Sequence, residues 1–394
     1  MRTLLTTALL IFCLMPWAAQ AQDGVSRIYG KVVTDDGDTF EGLIRWDKNE
    51  VSWVDILDGT KQSYRPGRME NANMRRRTRR TDSKASGIRF GHIQRLERVS
   101  GNKALLVLRG GDEVEFTGGA TDIGTDIRGI IVEDDQRGEV ELQWRDVDYV
   151  EFLAGTNTLK SYYGTRIFGT LETRDGDRYK GFICWDIDEV LTADVLDGDD
   201  RNRRRRKIKF GNIARIERDS GSSALVVLRN GDELELRGTN DVNSSNSDIL
   251  VMDPGLGQVR VEWNDMDFVE FEPKPANFGY EDFMAVTPLY GTITTDDGDK
   301  FTGFVQWDRD EAYTWELLDG DMDDIEFKVE FGLIESIERD GRGALVTLKD
   351  GRELELEDSN DVSSDNDGIA VLLDDGDEVI IRWRDFERAV FHSR

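Results

Sequence analysis

Tyr29-Gly30-Lys31-Val32-Val33-Thr34-Asp35-Asp36-Gly37-Asp38-Thr39-Phe40-Glu41-Gly42-Leu43-Ile44-Arg45-Trp46-Asp47 reads as a strand, a turn and a second strand. Asp-Gly tolerates positive φ, so Asp36-Gly37 between two apolar-rich runs is a strong hairpin signal. The stretch returns from Phe168-Gly169 to Trp185-Asp186 and from Tyr290-Gly291 to Trp307-Asp308. About ten residues further on, each copy reaches Leu-Asp-Gly, at Leu57 to Gly59, Leu196 to Gly198 and Leu318 to Gly320, a spacing a fixed-period repeat preserves. The chain is therefore a threefold repeat. Polar residues that recur in it are expected to serve the recurring turn before they serve chemistry.

Outside this hairpin the pattern is still period two. Val140, Leu142 and Trp144 alternate with Glu139, Glu141 and Gln143; Val259, Val261 and Trp263 do the same, as do Val379, Ile381 and Trp383. One apolar face at that period means half-buried antiparallel strands. Further turns fall at Asp175-Gly176, Asn230-Gly231, Asp297-Gly298, Asp350-Gly351 and Asp375-Gly376. No long stretch has a capped stripe of helical period, so the expected class is all-β.

Each repeat also divides into two related halves. The first closes with Phe90-x-x-Ile93-x-x-Leu96 and the second with Trp144-x-x-Val147-x-x-Val150, with counterparts in the other copies. A strand, one tight turn and a short strand fit that spacing, with all three apolar residues inward. The hairpins at Val32 to Asp38 and Val107 to Asp112 open the two halves alike. Units of about 50 residues are near the lower limit for independent folding, so paired halves are expected to share a core. The expected boundaries are repeat 1 at 27–153 with a basic insert at 61–87, repeat 2 at 166–272 and repeat 3 at 288–392.

The strand, the Asp-Gly turn, Phe40-x-Gly42-x-Ile44 and the closing Ile-x-x-Leu strand of each half resemble the Sm-like and SH3-like small β-barrels. The resemblance implies small-barrel or sandwich-like halves; a consolidated ten-stranded barrel per repeat is also open. Members of those families that bind RNA use loop residues with no match here, so the resemblance implies a fold and no function.

Residues 1–21 read as an export signal: Arg2, an apolar run from Leu4 to Trp17, and Ala19-Gln20-Ala21 as the cleavage site. The run is too short for a membrane span. Bulky Phe12 before Cys13 argues against a lipid anchor. A periplasmic or extracellular location follows. Cleavage leaves Cys184 as the single thiol, so no internal disulfide can form. Arg45 and Gln306 hold its place in the other repeats, which points to a surface position.

The formal charge of −29 repels nucleic acid and anionic lipid. Arg outnumbers Lys by 38 to 13, and with abundant Asp the balance resembles that of proteins working in high salt. Catalytic constellations are missing. The histidines, His92 and His392, stand at unrelated points of the repeat, and His92 reads as a loop residue. No Gly-x-Ser-x-Gly, Cys-His pairing or His-rich metal spacing occurs. Gly110-Gly111 and Gly118-Gly119 lie between strands, where no helix N-terminus is offered to a phosphate.

Two features are candidate sites. After Leu-Asp-Gly, repeat 1 carries Arg75, Arg76, Arg77, Arg79 and Arg80, and repeat 2 carries Arg203, Arg204, Arg205, Arg206 and Lys207. Repeat 3 has Asp321, Asp323 and Asp324 there. These runs could grip an anionic polymer or pair with acidic faces of neighbouring repeats. They lack aromatic residues for base stacking, so nucleic acid is an unfavoured partner. The second is an oxygen-rich loop, with Asp241, Asn243, Asn246 and Asp248 in repeat 2 and Asp361, Asp365 and Asp367 in repeat 3. Such oxygens could ligate Ca²⁺, the one cofactor considered, although Asx-turns account for the same residues. The expected function is an exported, non-catalytic binding or structural module, with an anionic polymer or another envelope protein as the candidate partner. The alternative is a carboxylate-dependent hydrolase of glycans.

Overall fold

Alternating sequence becomes alternating burial: in Lys103–Leu108 the residues Ala104, Leu106 and Leu108 are sealed while their neighbours are half-exposed. The computed structural model describes residues 24–65, 85–118, 122–156, 158–273 and 278–393. The leader at 1–21 and Arg75 to Arg80 lie outside the described residues.

Repeat 1 contains ten strands: β1 (Tyr29–Thr34), β2 (Thr39–Trp46), β3 (Ile56–Arg65), β4 (Ala85–Arg89), β5 (Ile93–Ser100), β6 (Lys103–Leu108), β7 (Glu113–Thr117), β8 (Ile130–Asp134), β9 (Gly138–Leu142) and β10 (Val147–Phe152). They form one antiparallel sheet in the order β4-β3-β7-β6-β5-β10-β1-β2-β8-β9. The two five-stranded halves meet where β5 pairs with β10. The class is all-β, built of repeated units. The halves, however, are interleaved along the chain. Hairpin β1–β2 completes the half made by β8, β9 and β10, and the other half is inserted between them.

Local chemistry accounts for the joints. The glycines of the hairpin turns, including Gly37, Gly176 and Gly298, sit at φ +85°, +94° and +87°, a region L side chains avoid. Gly30 faces Gly42 across β1–β2, and a Cβ on Gly42 would lie 2.0 Å from the Glu133 carbonyl. The closing motifs are strand, one 3₁₀ turn, strand: Phe90, Ile93 and Leu96, like Trp144, Val147 and Val150, are at most 1 % exposed. Each core centres on an edge-on tryptophan pair, Trp46–Trp144, Trp185–Trp263 and Trp307–Trp383, with centroids 6.3, 6.2 and 6.2 Å apart.

The repeats pack into one body in which each touches both others. Gly257–Val261 of repeat 2, the counterpart of β9, pairs with Ile325–Glu330 of repeat 3, the counterpart of β4. A hairpin of repeat 3 thereby extends repeat 2 to twelve hydrogen-bonded strands and leaves eight in repeat 3's own sheet. Buried ion pairs join the remaining faces. Arg166 of repeat 2 lies 3.1 Å from Asp55 of repeat 1, and Lys61 of repeat 1 lies 3.2 Å from Asp310 of repeat 3. Arg89 and His92 of repeat 1 flank Glu330 of repeat 3 at 3.5 and 3.1 Å. Burial acts to raise the Glu330 carboxyl, but His92 and Arg89 outweigh it and hold it below its ordinary value.

These seams correct two expectations. Cys184 is only 3 % exposed, packed where repeat 2 meets repeat 1, and burial pushes its thiol well up. His92 is 2 % exposed and faces a carboxylate of another repeat. Equivalent positions meet different neighbours in the three copies, so a polar residue in one copy does not imply solvent in the next.

Candidate functional site

The Trp-Asp pair opens a tight turn that ends three residues later on glutamate in every repeat: Asp47 to Glu50, Asp186 to Glu189 and Asp308 to Glu311. Trp46 and Glu50 exchange backbone hydrogen bonds of 2.8 and 3.0 Å. The two residues after each Trp take positive φ, including the β-branched Ile187 at +52°, a conformation the surroundings must enforce.

The enforcement is visible and is repeated three times. The indole N–H of Trp46 donates to the main-chain oxygen of Asp122 at 2.9 Å; Trp185 and Trp307 donate likewise to Asp241 and Asp361. The carboxylates of Asp122, Asp241 and Asp361 accept from the backbone N–H of Asp58, Asp197 and Asp319 at 2.7, 2.6 and 2.8 Å. Asp47, Asp186 and Asp308 accept from the backbone N–H groups of Arg128, Ser247 and Asp367. Two aspartates per repeat thus tie the turn to the Leu-Asp-Gly strand and to the following loop.

The glutamate lies between them. Oε2 of Glu50, Glu189 and Glu311 is sealed from solvent and has no hydrogen-bond partner among the described residues. In repeat 1 an oxygen from each of Asp47, Glu50 and Asp122 lies within 4.8 Å of the others, and all three residues are buried. Three carboxylates that close need a counter-charge, either a proton or a hard cation held at about 2.4 Å. Burial, then Asp122 and Asp47, push the Glu50 carboxyl well above its ordinary value. Burial and then Asp241 push Glu189 up to about 9, and Asp241 itself is pushed up to about 6, chiefly by burial. Burial and Asp361 raise Glu311 well above its ordinary range, with Lys61 acting against the rise.

A cleft of about 640 Å³ opens on the repeat 3 cluster at the seam with repeat 1. Asp58 enters from repeat 1; Glu311, Asp319, Asp361, Asp367 and Lys328 enter from repeat 3. Lys328 bridges the seam to Asp58 at 3.0 Å. Apart from Lys328 the ionisable groups lining the cleft are all acidic, which suits a cationic guest and disfavours an anionic polymer.

Arg203 to Arg206 occupy the exposed end of a repeat 2 hairpin whose second strand, Arg205–Lys209, is a sheet edge. Arg205 pairs with Asp199 at 2.9 Å and Arg206 with Asp200 at 2.7 Å. Arg203 and Arg204 have no ion-pair partner among the described residues. Charge along an exposed edge also discourages strand addition. Asp361, Asp365 and Asp367 of the repeat 3 oxygen-rich loop all line the seam cleft, while the repeat 2 loop is held by turns and an ion pair. The Asn243 and Asn246 side chains accept from Ser245 and Asp248 N–H groups in Asx-turns, and Asp248 pairs with Arg260 at 2.6 Å. Asp365 donates its N–H to Ser363, and Asp367 donates its own to Asp308. Sequence reasoning missed Glu50, Glu189 and Glu311. Their signal was the constant Trp-Asp-x-x-Glu spacing.

No known protein family, curated protein or solved structure matches this chain. Among the described residues no helix is long and apolar enough to cross a membrane.

Proposed function

We propose that the chain is an exported, non-catalytic β-repeat protein that serves as a binding or structural module in the cell envelope or outside the cell. Export rests on the leader-like residues 1–21. The observation that carries the rest is repetition. The same two aspartates lock the same turn in all three repeats, with a glutamate sealed beside them. A catalytic pair needs two carboxyls in contrasting environments at one site; here the acids recur as part of the scaffold. Inter-repeat ion pairs and the shared sheet make one body with an acidic seam cleft, fitted to hold a cationic segment of a partner.

One observation favours glycan hydrolysis as a second reading. Glu311, whose carboxyl burial raises well above its ordinary value, lines the cleft with Asp361 and Asp319, and that chemistry pairs a raised carboxyl with a second carboxylate. Retention and product release, measured together on envelope glycans and polypeptides, separate the two. Retention without release is expected. Product accumulating in proportion to protein concentration would overturn the binding-module reading.

A further inference from the structure

Repeat 1 has a groove that the chain fills with its own aromatic segment. The segment between repeats 2 and 3 lays Tyr280 on Trp53, with ring centroids 4.6 Å apart, and the Tyr280 hydroxyl donates to Ile93 O at 2.9 Å. Phe283 packs edge-on to His92 at 5.0 Å and lies so close to Gly91 that a Cβ there would be 2.2 Å from the ring. Arg109 closes over them. Its guanidinium lies 4.6 Å from the Tyr280 centroid, donates to the carbonyls of Tyr280 and Phe283 at 2.5 and 3.3 Å, and pairs with Glu281 at 3.1 Å.

The same groove exists in the other repeats, and the backbone fixes the correspondence. Gly91 N–H donates to Trp53 O, Gly211 N–H to Thr192 O and Gly332 N–H to Thr314 O. Arg109, Arg229 and Lys349 donate their N–H groups to the residues after those glycines, His92, Asn212 and Leu333. In repeat 3 the groove is covered, with Met284 Cε 3.2 Å from where a Gly332 Cβ would stand and Lys349 Nζ on the Gly332 carbonyl. In repeat 2 no described residue covers it. A space of about 580 Å³ is bounded by Thr192, Gly211, Asn212, Arg229 and Phe271, with Tyr162 at its rim. Tyr162 is 69 % exposed. Thr192 stands where repeat 1 has Trp53, which leaves room for an incoming ring. Arg229 meanwhile rests on Gly211 O at 3.1 Å and Phe271 O at 3.5 Å.

We propose that the repeat 2 groove binds an aromatic–acidic segment of a partner protein: two aromatic side chains three positions apart with acidic residues between them. That is the chemistry of Tyr280-Glu281-Asp282-Phe283, which the sister groove already holds. Arg229 takes the part of Arg109, gripping carbonyls and the acidic side chain, and Tyr162 supplies an aromatic face. The inference gives the proposed binding module a partner chemistry. It is independent of the seam cleft and would survive a hydrolase activity there.

The test is fluorescence anisotropy of a labelled, end-blocked peptide with the sequence of residues 278–283, titrated with the full protein. Saturable binding is expected. It should weaken at least tenfold in Arg229→Ala, persist in Arg109→Ala, and weaken as much when the peptide's two acids become amides. The peptide arm keeps the test decisive should Arg229→Ala fail to fold. Absence of binding, binding indifferent to the peptide acids, or binding lost in Arg109→Ala but kept in Arg229→Ala would overturn the proposal.

Discussion

Replacing Lys61 by Met removes the cation from the seam between repeats 1 and 3 and leaves its partners behind. Lys61 is 2 % exposed at the side chain, donates to the Asp310 carbonyl at 3.0 Å, and pairs with the carboxylates of Asp310 and Glu316, themselves 4 % and 2 % exposed. Burial acts to lower the Lys61 pKa, but Glu316 and Asp310 outweigh it and hold it above its ordinary value. Removing one member of a buried pair costs about 3 to 5 kcal/mol, because the remaining charge stays buried. Glu316 keeps the N–H groups of Ala312 and Tyr313, which places the expected cost in the lower part, at about 3 to 4 kcal/mol. For 394 residues an unfolding entropy of about 2.1 cal/mol/K per residue gives roughly 0.8 kcal/mol/K, so Tm should fall by about 4 to 5 °C. Thermal unfolding followed by near-ultraviolet circular dichroism reads this directly. Burial already raises Glu316 and Lys61 opposes the rise, so the variant's carboxyl should titrate higher still. A raised folded-state acid stabilises below its unfolded pKa and loses that contribution as pH rises, so the deficit should shrink from pH 7 to pH 5. Adding Glu316→Gln should recover part of the loss at pH 7. A Lys61→Met protein that melts within 1 °C of the parent, with no pH dependence of the difference, would refute the reasoning.

Glu189→Gln tests the sealed glutamate. With the carboxyl at about 9 when folded and 4.5 ordinarily, its stabilisation is complete below about pH 4.5 and declines by about 1.4 kcal/mol per pH unit through that window. The variant should gain on the parent between pH 5 and 8 in urea unfolding; a constant difference would mean that Glu189 is ionised. Replacing Arg203 to Arg206 by Ser should weaken retention on heparin-like matrices in a salt-dependent way if the hairpin grips an anionic polymer. Because the ion pairs of Arg205 and Arg206 are partly exposed and such pairs are worth about 0 to 1 kcal/mol each, melting should move little; a clear drop in Tm with retention unchanged would instead make the run an internal clamp. Mass spectrometry of protein from an exporting host should find Gln22 at the N-terminus, and an intact leader on the mature protein would contradict export.

Much of the fold was legible because its signals are local. Gly37 needs positive φ, and Phe90, Ile93 and Leu96 recur at the spacing of a strand, a 3₁₀ turn and a strand. The interleaving of halves was hidden because which strand pairs with β1–β2 is a non-local outcome. The loan of Ile325–Glu330 to the edge of repeat 2 was hidden for the same reason. Cys184 and His92 were misplaced because the repeats are alike inside and differ in what they meet outside. Among 80 acidic residues, Glu50, Glu189 and Glu311 gave no compositional sign of burial. Only the Trp-Asp-x-x-Glu register could have singled them out.

A binding module and an enzyme differ in whether the seam cleft turns anything over. Release of reducing ends from a panel of envelope and extracellular glycans, followed against protein concentration for the parent and Glu311→Gln, decides it. The predicted result is no release above the blank from either protein. Release that scales with parent concentration and disappears in a folded Glu311→Gln would contradict a non-catalytic module and make the cleft an active site.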